Sequence, residues 1–141
     1  MILVDANILL YAYNSKADQH CSARAFWESS LSTPQPVGLA WSTILAFLRI
    51  GTNPRVFEHP MTIAEACGHV SGWLERPMLQ IIDPTSRHWE VLQRLLVHFQ
   101  APANLVPDAH LAALAIEHGA TLYSADQGFA RFGDLSWRNP L

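Results

Sequence analysis

A chain of 141 residues has the size of one domain, at roughly 100–200 residues per domain, and leaves no room for a second. Half of it is hydrophobic and 15% is charged, which excludes a disordered chain and provides a core without a disulfide or structural metal. The net charge of −3 excludes a basic nucleic-acid-coating platform.

In chain order, Ile2–Val4 reads as a buried strand ending at Asp5, and Asn7–Ala12 as a short helix. Asp18 is placed to cap a helix carrying Ala23, Phe26, Trp27 and Leu31 on one face. Pro34 and Pro36 break the chain before a strand at Val37–Ala40. Ser42 is the expected cap of a helix over Thr43–Ile50, which Gly51 and Asn53-Pro54 stop. Thr62 and Glu65 have capping-box spacing and open a helix that ends before Pro77. Leu79–Ile82 is a strand, Asp83-Pro84 turns the chain, and Trp89, Leu92, Leu95, Leu96 and Phe99 form the apolar stripe of another helix. Pro107 suits the first turn of a helix over Asp108–His118, and Gly119 its C′ position. Thr121–Ser124 is a strand, Gln127–Phe132 a short helix and Leu135–Trp137 an edge strand. Strands alternating with helices predict an α/β fold over residues 1–141, a mostly parallel sheet of 4–5 strands with helices on both faces.

The same pass excludes other classes. No apolar run approaches the ~20 residues of a membrane span. The opening Met-Ile-Leu-Val-Asp has no signal-peptide character. Cys21 and Cys67 lack metal-ligand spacing and read as buried free thiols of a cytoplasmic protein. Lys16 is the sole lysine among nine basic residues. The rest are arginines, whose guanidinium forks suit phosphate and carboxylate. No phosphate-binding glycine loop, nucleophile elbow or zinc-protease motif occurs.

Ligands of open parallel sheets bind at the carboxyl ends of the strands, and that rule selects three acids. Asp5 ends the first strand, Asp126 follows the strand Thr121–Ser124, and Asp108 lies in a helix's first turn. Each alone is an ordinary helix-capping aspartate. At one end of one sheet, three carboxylates repel, and a cation offsets that repulsion. A set of hard oxygen donors without cysteine or histidine favours Mg²⁺ or Mn²⁺. A cation held by few carboxylates keeps sites for water and phosphate, the arrangement for phosphodiester hydrolysis.

Val4-Asp5-Ala6-Asn7, Pro107-Asp108-Ala109-His110-Leu111-Ala112 and Ser124-Ala125-Asp126-Gln127-Gly128-Phe129 resemble the three boxes of a PIN domain. Phe47-Leu48-Arg49 and Thr52-Asn53-Pro54-Arg55 within Trp41–Val56 resemble the VapC toxins of bacterial toxin–antitoxin pairs. The resemblance spans essentially the whole chain. It implies a metal-dependent endoribonuclease cutting structured RNA such as tRNA or rRNA, a homodimer, and inhibition by a VapB antitoxin. Asp5, Asp108 and Asp126 would be catalytic, with Asp5 and Asp108 holding the metal directly. The family usually carries a fourth acid on the helix after the second strand. The segment Ser42–Ile50 contains none, and Ser42 and Phe47 are candidates for the vacant position. That departure supports an alternative function, a nuclease-dead module binding RNA or a protein partner. A receiver-like signalling domain also places aspartates at strand ends, but Lys16 lies away from them.

Asn7 is placed to orient Asp5, and Ser124 to steady Asp126 or contact phosphate; both are equally ordinary turn and strand-end groups. Arg49 and Arg55 are candidates for RNA phosphate contact, beside the plainer roles of helix-dipole complementation and solvation. The seven histidines are scattered, and His110, two residues past Asp108, points away from it on a helix. Surface or helix-packing roles are expected for them.

Overall fold

Three consecutive apolar residues with no polar face suit a strand covered on both sides, and Ile2–Val4 (β1) takes the middle of the sheet. The computed structural model describes residues 1–141. The other strands are Val37–Leu39 (β2), Leu79–Ile81 (β3), Thr121–Tyr123 (β4) and Trp137–Arg138 (β5), in the order β3-β2-β1-β4-β5. All four pairings are parallel, with Ile2 beside Val37 on one side and beside Thr121 on the other. Six helices connect them: Ala6–Ala12 (α1), His20–Ser32 (α2), Trp41–Gly51 (α3), Ile63–Leu74 (α4), His88–His98 (α5) and Val106–Glu117 (α6). The expected α/β architecture is the one observed.

Strand alternation divides the core into two layers. Ile2, Val4, Val37 and Leu39 face α1 to α4 and pack with Ile8, Trp27, Ile44, Phe47 and Trp73. Leu3, Leu122 and Ile82 face α5 and α6, with Val91, Leu95 and the alanine-rich stretch Ala112–Ala115. Gly38 is required where Leu3 and Ile82 close over β2, since a Cβ there would lie 2.6 Å from Ile82 Cγ1. Gly119 follows α6 at φ 61°, the left-handed turn that glycine takes without steric cost.

The capping box of α4 is formed as expected: the Glu65 N–H donates to Thr62 Oγ1 at 3.1 Å, and the Thr62 N–H to Glu65 Oε1 at 3.5 Å. Two other expected caps are not. Helix α3 begins two residues early, with Ala40 as N-cap, so Ser42 lies inside the helix. The N-cap of α2 is Gln19, without a side-chain bond, and Asp18 is not the cap. Trp89, expected in the core, is 66% exposed; Val91 and Leu95 carry the inward face of α5 instead. The last strand is shifted to Trp137–Arg138. Cys21 and Cys67 are exposed thiols on α2 and α4, contrary to the expected burial.

Helices α5 and α6 are joined by a polar network around Glu117. Glu117, its side chain fully buried, accepts from the Thr85 N–H at 2.9 Å and from the Thr85 hydroxyl at 2.6 Å. His88 Nδ1 contacts Glu117, and the His88 and His110 rings share a hydrogen bond of 2.9 Å. The bonds from Thr85 and His88 outweigh burial, which alone would raise the Glu117 carboxyl, and hold it below its usual range. His110 thus has the helix-packing role expected of it.

Candidate active site

The carboxyl ends of β1, β2 and β4 lie on one edge of the sheet. Asp5 and Ser124 directly follow β1 and β4, while after β2 the turn residue Ala40 leads into α3, which carries Ser42 and Thr43 in its first turn. Asp5 leaves β1 as the N-cap of α1, its Oδ1 accepting from the Ala6 N–H at 2.7 Å. Its Oδ2 accepts from the Ser124 hydroxyl at 2.8 Å and, more weakly, from Asn7 Nδ2 at 3.4 Å. Ser124, fully buried past the end of β4, also accepts from Asn7 Nδ2 and from the Asp126 N–H, each at 3.0 Å. Asn7 Oδ1 accepts from the Ala125 N–H at 3.2 Å. Ser124 and Asn7 therefore fasten the corner after β1 to the corner after β4. They fix the Asp5 carboxylate from two directions, so Ser124 reaches Asp5 as well as its neighbour Asp126.

Asp108 comes from the first turn of α6, whose start is set by Pro107. Its side chain is partly buried and makes no hydrogen bond or ion pair within the protein. Burial first, then the charges of Asp126 and Asp5, raise its pKa to about 6. Asp5 is also raised, chiefly by burial and further by the charge of Asp126, against the lowering effect of the Ser124 and Ala6 hydrogen bonds. The mutual influence of the three acids places them in one electrostatic neighbourhood. Asp126 is the exposed member, and its Oδ1 accepts from the Gly128 N–H at 2.8 Å, capping the short 3-10 turn Gln127–Arg131.

Asp5 and Asp108 face each other across a cleft of about 160 Å³, closed by Pro107 and Leu111 on one side and by α3 on the other. The α3 wall consists of Ser42, Thr43 and Ala46. No lysine, arginine or histidine lines the cleft. Phe47 is turned away: it is fully buried, 4.8 Å from the Trp73 ring and 5.7 Å from the Tyr13 ring. Its candidacy for the vacant acid position is therefore corrected, while Ser42 does line the cleft. Thr43 and Ala46 are cleft residues that the sequence pattern did not reveal. Thr43 is 3% exposed, and its hydroxyl has no hydrogen-bond partner.

Arg49 and Arg55 are both exposed and unpaired, and neither lines the cleft. Arg49 follows Ser42 and Ala46 along one stripe of α3, at spacings of seven and three residues. It stands roughly 9 Å further along the helix axis than Thr43. Arg55 lies in the turn after α3.

Two buried-to-partly-buried carboxylates, one bound by three donors and one bound by none, make a strongly anionic cleft with no internal counter-charge. Hard oxygen donors of this kind are those a divalent cation takes, although Asp5, Asp108 and Asp126 do not by themselves form a ready set of three ligands. Burial and mutual repulsion raise both carboxyls, and a bound cation would offset that repulsion.

The sequence profile of the PIN domain matches residues 2–135. The chain is 41% identical to ribonuclease VapC37 of Mycobacterium tuberculosis over 140 residues, 99% of this chain and 97% of the relative. It is 40% identical to ribonuclease VapC43 of the same organism over 141 residues, 100% of this chain and 96% of the relative. Among solved structures, the fold is shared with a chain of the VapBC2 complex of Rickettsia felis bound to a promoter DNA fragment. That match has a TM-score of 0.70 at 23% identity and covers 99% of this chain and 98% of the other. VapC20 of M. tuberculosis, described as a sarcin–ricin-loop-cleaving toxin, shares it at a TM-score of 0.67 and 19% identity, over 92% and 93% of the two chains.

Proposed function

Because this chain belongs to the PIN-domain family and, within it, to the VapC ribonucleases, we propose that it is a divalent-metal-dependent endoribonuclease and the toxin of a type II toxin–antitoxin pair. The observation that carries the reading is the pairing of Asp5 and Asp108 across a cleft without a cationic side chain. In this reading the two carboxylates hold Mg²⁺ or Mn²⁺ directly, with Asp126 contributing charge beside them. The bound ion would lower the pKa of a coordinated water and offset charge on the phosphate. Ser124 and Asn7 keep Asp5 aimed at the cleft, and the empty lone pairs of Asp108 leave it free to ligate. No side-chain nucleophile is called for, and none lines the cleft beyond hydroxyls. Arg49, on the stripe of α3 that continues past Ala46, is assigned to an RNA phosphate, and Arg55 to a second. Structured RNA, such as tRNA or rRNA, is the substrate class assigned.

The partner assigned is a VapB-like antitoxin, in keeping with the toxin–antitoxin complexes among the proteins of like fold. A groove of about 500 Å³ between α2 and α4 supports a docked segment. It is lined by Trp27, Leu31, Gly68, Gly72 and Trp73, and the buried Trp27 indole N–H has no partner. A homodimer is the assembly assigned, consistent with the exposed apolar residues Trp41, Leu45 and Val106 around the cleft.

The test is RNA cleavage by the Asp5→Asn and Asp108→Asn variants with Mg²⁺ or Mn²⁺. Each should lose cleavage by at least about 100-fold while remaining folded, since neutralising one member of a repelling cluster does not disfavour the fold. Variants that keep wild-type cleavage overturn the assignment. A wild-type protein that binds RNA without cutting it supports instead the nuclease-dead module, which the acid-free wall of α3 also fits.

A further inference from the structure

Three polar residues are buried in this protein: Ser30, Thr43 and Ser124. The Ser30 hydroxyl donates to the Phe26 carbonyl at 2.8 Å, and Ser124 is bonded on all sides. Only the Thr43 hydroxyl is idle. A threonine inside a helix ordinarily bonds back to the carbonyl four residues earlier. Here that group, the Leu39 carbonyl, accepts the Ile82 N–H at 2.9 Å in the sheet. Nor does the hydroxyl cap its own helix, whose N-cap is Ala40. What Thr43 faces is the cleft of Asp5 and Asp108. Thr43 is buried as a residue, while its hydroxyl, unbonded within the protein, lies on the wall of the cleft beside two carboxylates and is open to a guest that takes oxygen donors.

Resting on the reading of the cleft as a metal centre, we propose that the Thr43 hydroxyl takes the place of the missing α3 acid as an oxygen ligand, direct or through a bound water, and that the centre holds a single divalent cation. Threonine and serine hydroxyls serve Mg²⁺ in this way in phosphate-binding loops. The charge balance sets the number of ions. Asp5, Asp108 and Asp126 bring at most three negative charges, and a hydroxyl adds none. One divalent ion leaves that neighbourhood anionic; two would leave it with a net positive charge inside the protein before substrate arrives. Ala46, one turn along α3, offers no donor to complete a second shell of ligands.

The experiment titrates Mn²⁺ alone into the metal-free protein, without RNA, and reads stoichiometry by calorimetry and ligand environment by electron paramagnetic resonance. Wild type is expected to bind one Mn²⁺ per chain. Thr43→Val keeps the shape and removes the hydroxyl, and should weaken Mn²⁺ by at least about tenfold. Thr43→Ser keeps the hydroxyl and should stay within about threefold of wild type. Thermal unfolding of the three proteins, measured alongside, confirms that the comparison is between folded chains. Equal affinity of wild type and Thr43→Val overturns the role of Thr43 and leaves the metal centre standing. Two ions in the wild type overturn the stoichiometry. A wild type that binds no Mn²⁺ overturns this proposal together with the metal centre beneath it.

Discussion

Asp108 illustrates how much a single side chain of this site was legible in advance. Its position in a first helical turn after Pro107 marked it as an acid at the start of a helix. Its lack of any hydrogen-bond partner, which makes it available, belongs to the fold alone. The consequence is measurable. Its carboxyl is raised to about 6 by burial and by Asp126 and Asp5, so in the folded state it holds a proton that the unfolded chain releases near pH 4. Between those values the unfolded state binds fewer protons, and stability falls as pH rises from about 4 to about 6. In metal-free buffer, the wild type should therefore lose melting temperature across that interval. Asp108→Asn should lose less, and the two curves should separate most above pH 6. Parallel curves would mean that the Asp108 carboxyl is not raised in the folded protein. Thr43 is the converse case. Its residue type is ordinary for a helix, but it stands in the first turn of α3, where the carbonyl four residues back belongs to β2 and pairs with Ile82, and its hydroxyl makes no bond within the protein.

Among the elements, those with local chemistry were read well and those oriented by distant contacts were not. The first four strands and the α4 capping box carry their own signals, in apolar runs and in the Thr62–Glu65 spacing. Helix α3 shows the limit. A serine before an apolar stretch is a sound cap signal, yet the helix starts at Trp41 because β2 ends at Leu39 and Ala40 turns directly into it. Which stripe of α3 meets the acids and which meets Tyr13 and Trp73 depends on how the helix is rotated against the sheet. Phe47 and Ala46 are adjacent in sequence and belong to opposite surroundings. Helix α5 behaves likewise: Trp89 matched the apolar stripe but is exposed, while His88 beside it turns to Glu117. Glu117→Ala should cost about 1–3 kcal/mol in denaturant unfolding at pH 7, because Thr85 and His88 lose their acceptor. Its lowered carboxyl contributes stability that is lost as pH falls through its folded value, so the deficit of the variant should shrink in acid. Trp89→Ser should stay within about 0.5 kcal/mol of wild type. A larger loss at Trp89 than at Glu117 would reverse this account of the α5–α6 junction.

For the whole molecule, the order β3-β2-β1-β4-β5 puts β1 in the centre, with its neighbours entered from opposite directions along the chain. A crevice at such a change of direction is where parallel sheets hold ligands, and it is where Asp5 and Asp108 meet. The parallel sheet was legible because strands alternating with helices need crossover connections, whereas the strand order belongs to the fold alone. The groove between α2 and α4 was not, since it arises from the separation of two helices that each look ordinary. It also gives a clean test of the antitoxin. A Cβ at Gly72 meets nothing within 4 Å, so Gly72→Leu fills the groove without disturbing the fold. The variant should bind its antitoxin at least about tenfold more weakly and keep wild-type RNA cleavage in its absence. Unchanged binding would place the antitoxin on another face. In a complex that uses the groove, a basic residue of the antitoxin is expected to reach the acids. Replacing that residue by alanine should restore cleavage while the complex persists.

The wide separation of the three acids along the chain has a further consequence for synthesis. A ribosome delivers Asp5 long before Asp108, and Asp108 before Asp126. The central strand waits equally long for β4, its partner from residue 121. Domains form as units once their distant pairings become available. A nascent chain that has not yet reached Asp108 and β4 therefore carries Asp5 without its partner across the cleft, and the cleft forms only once those later segments are made.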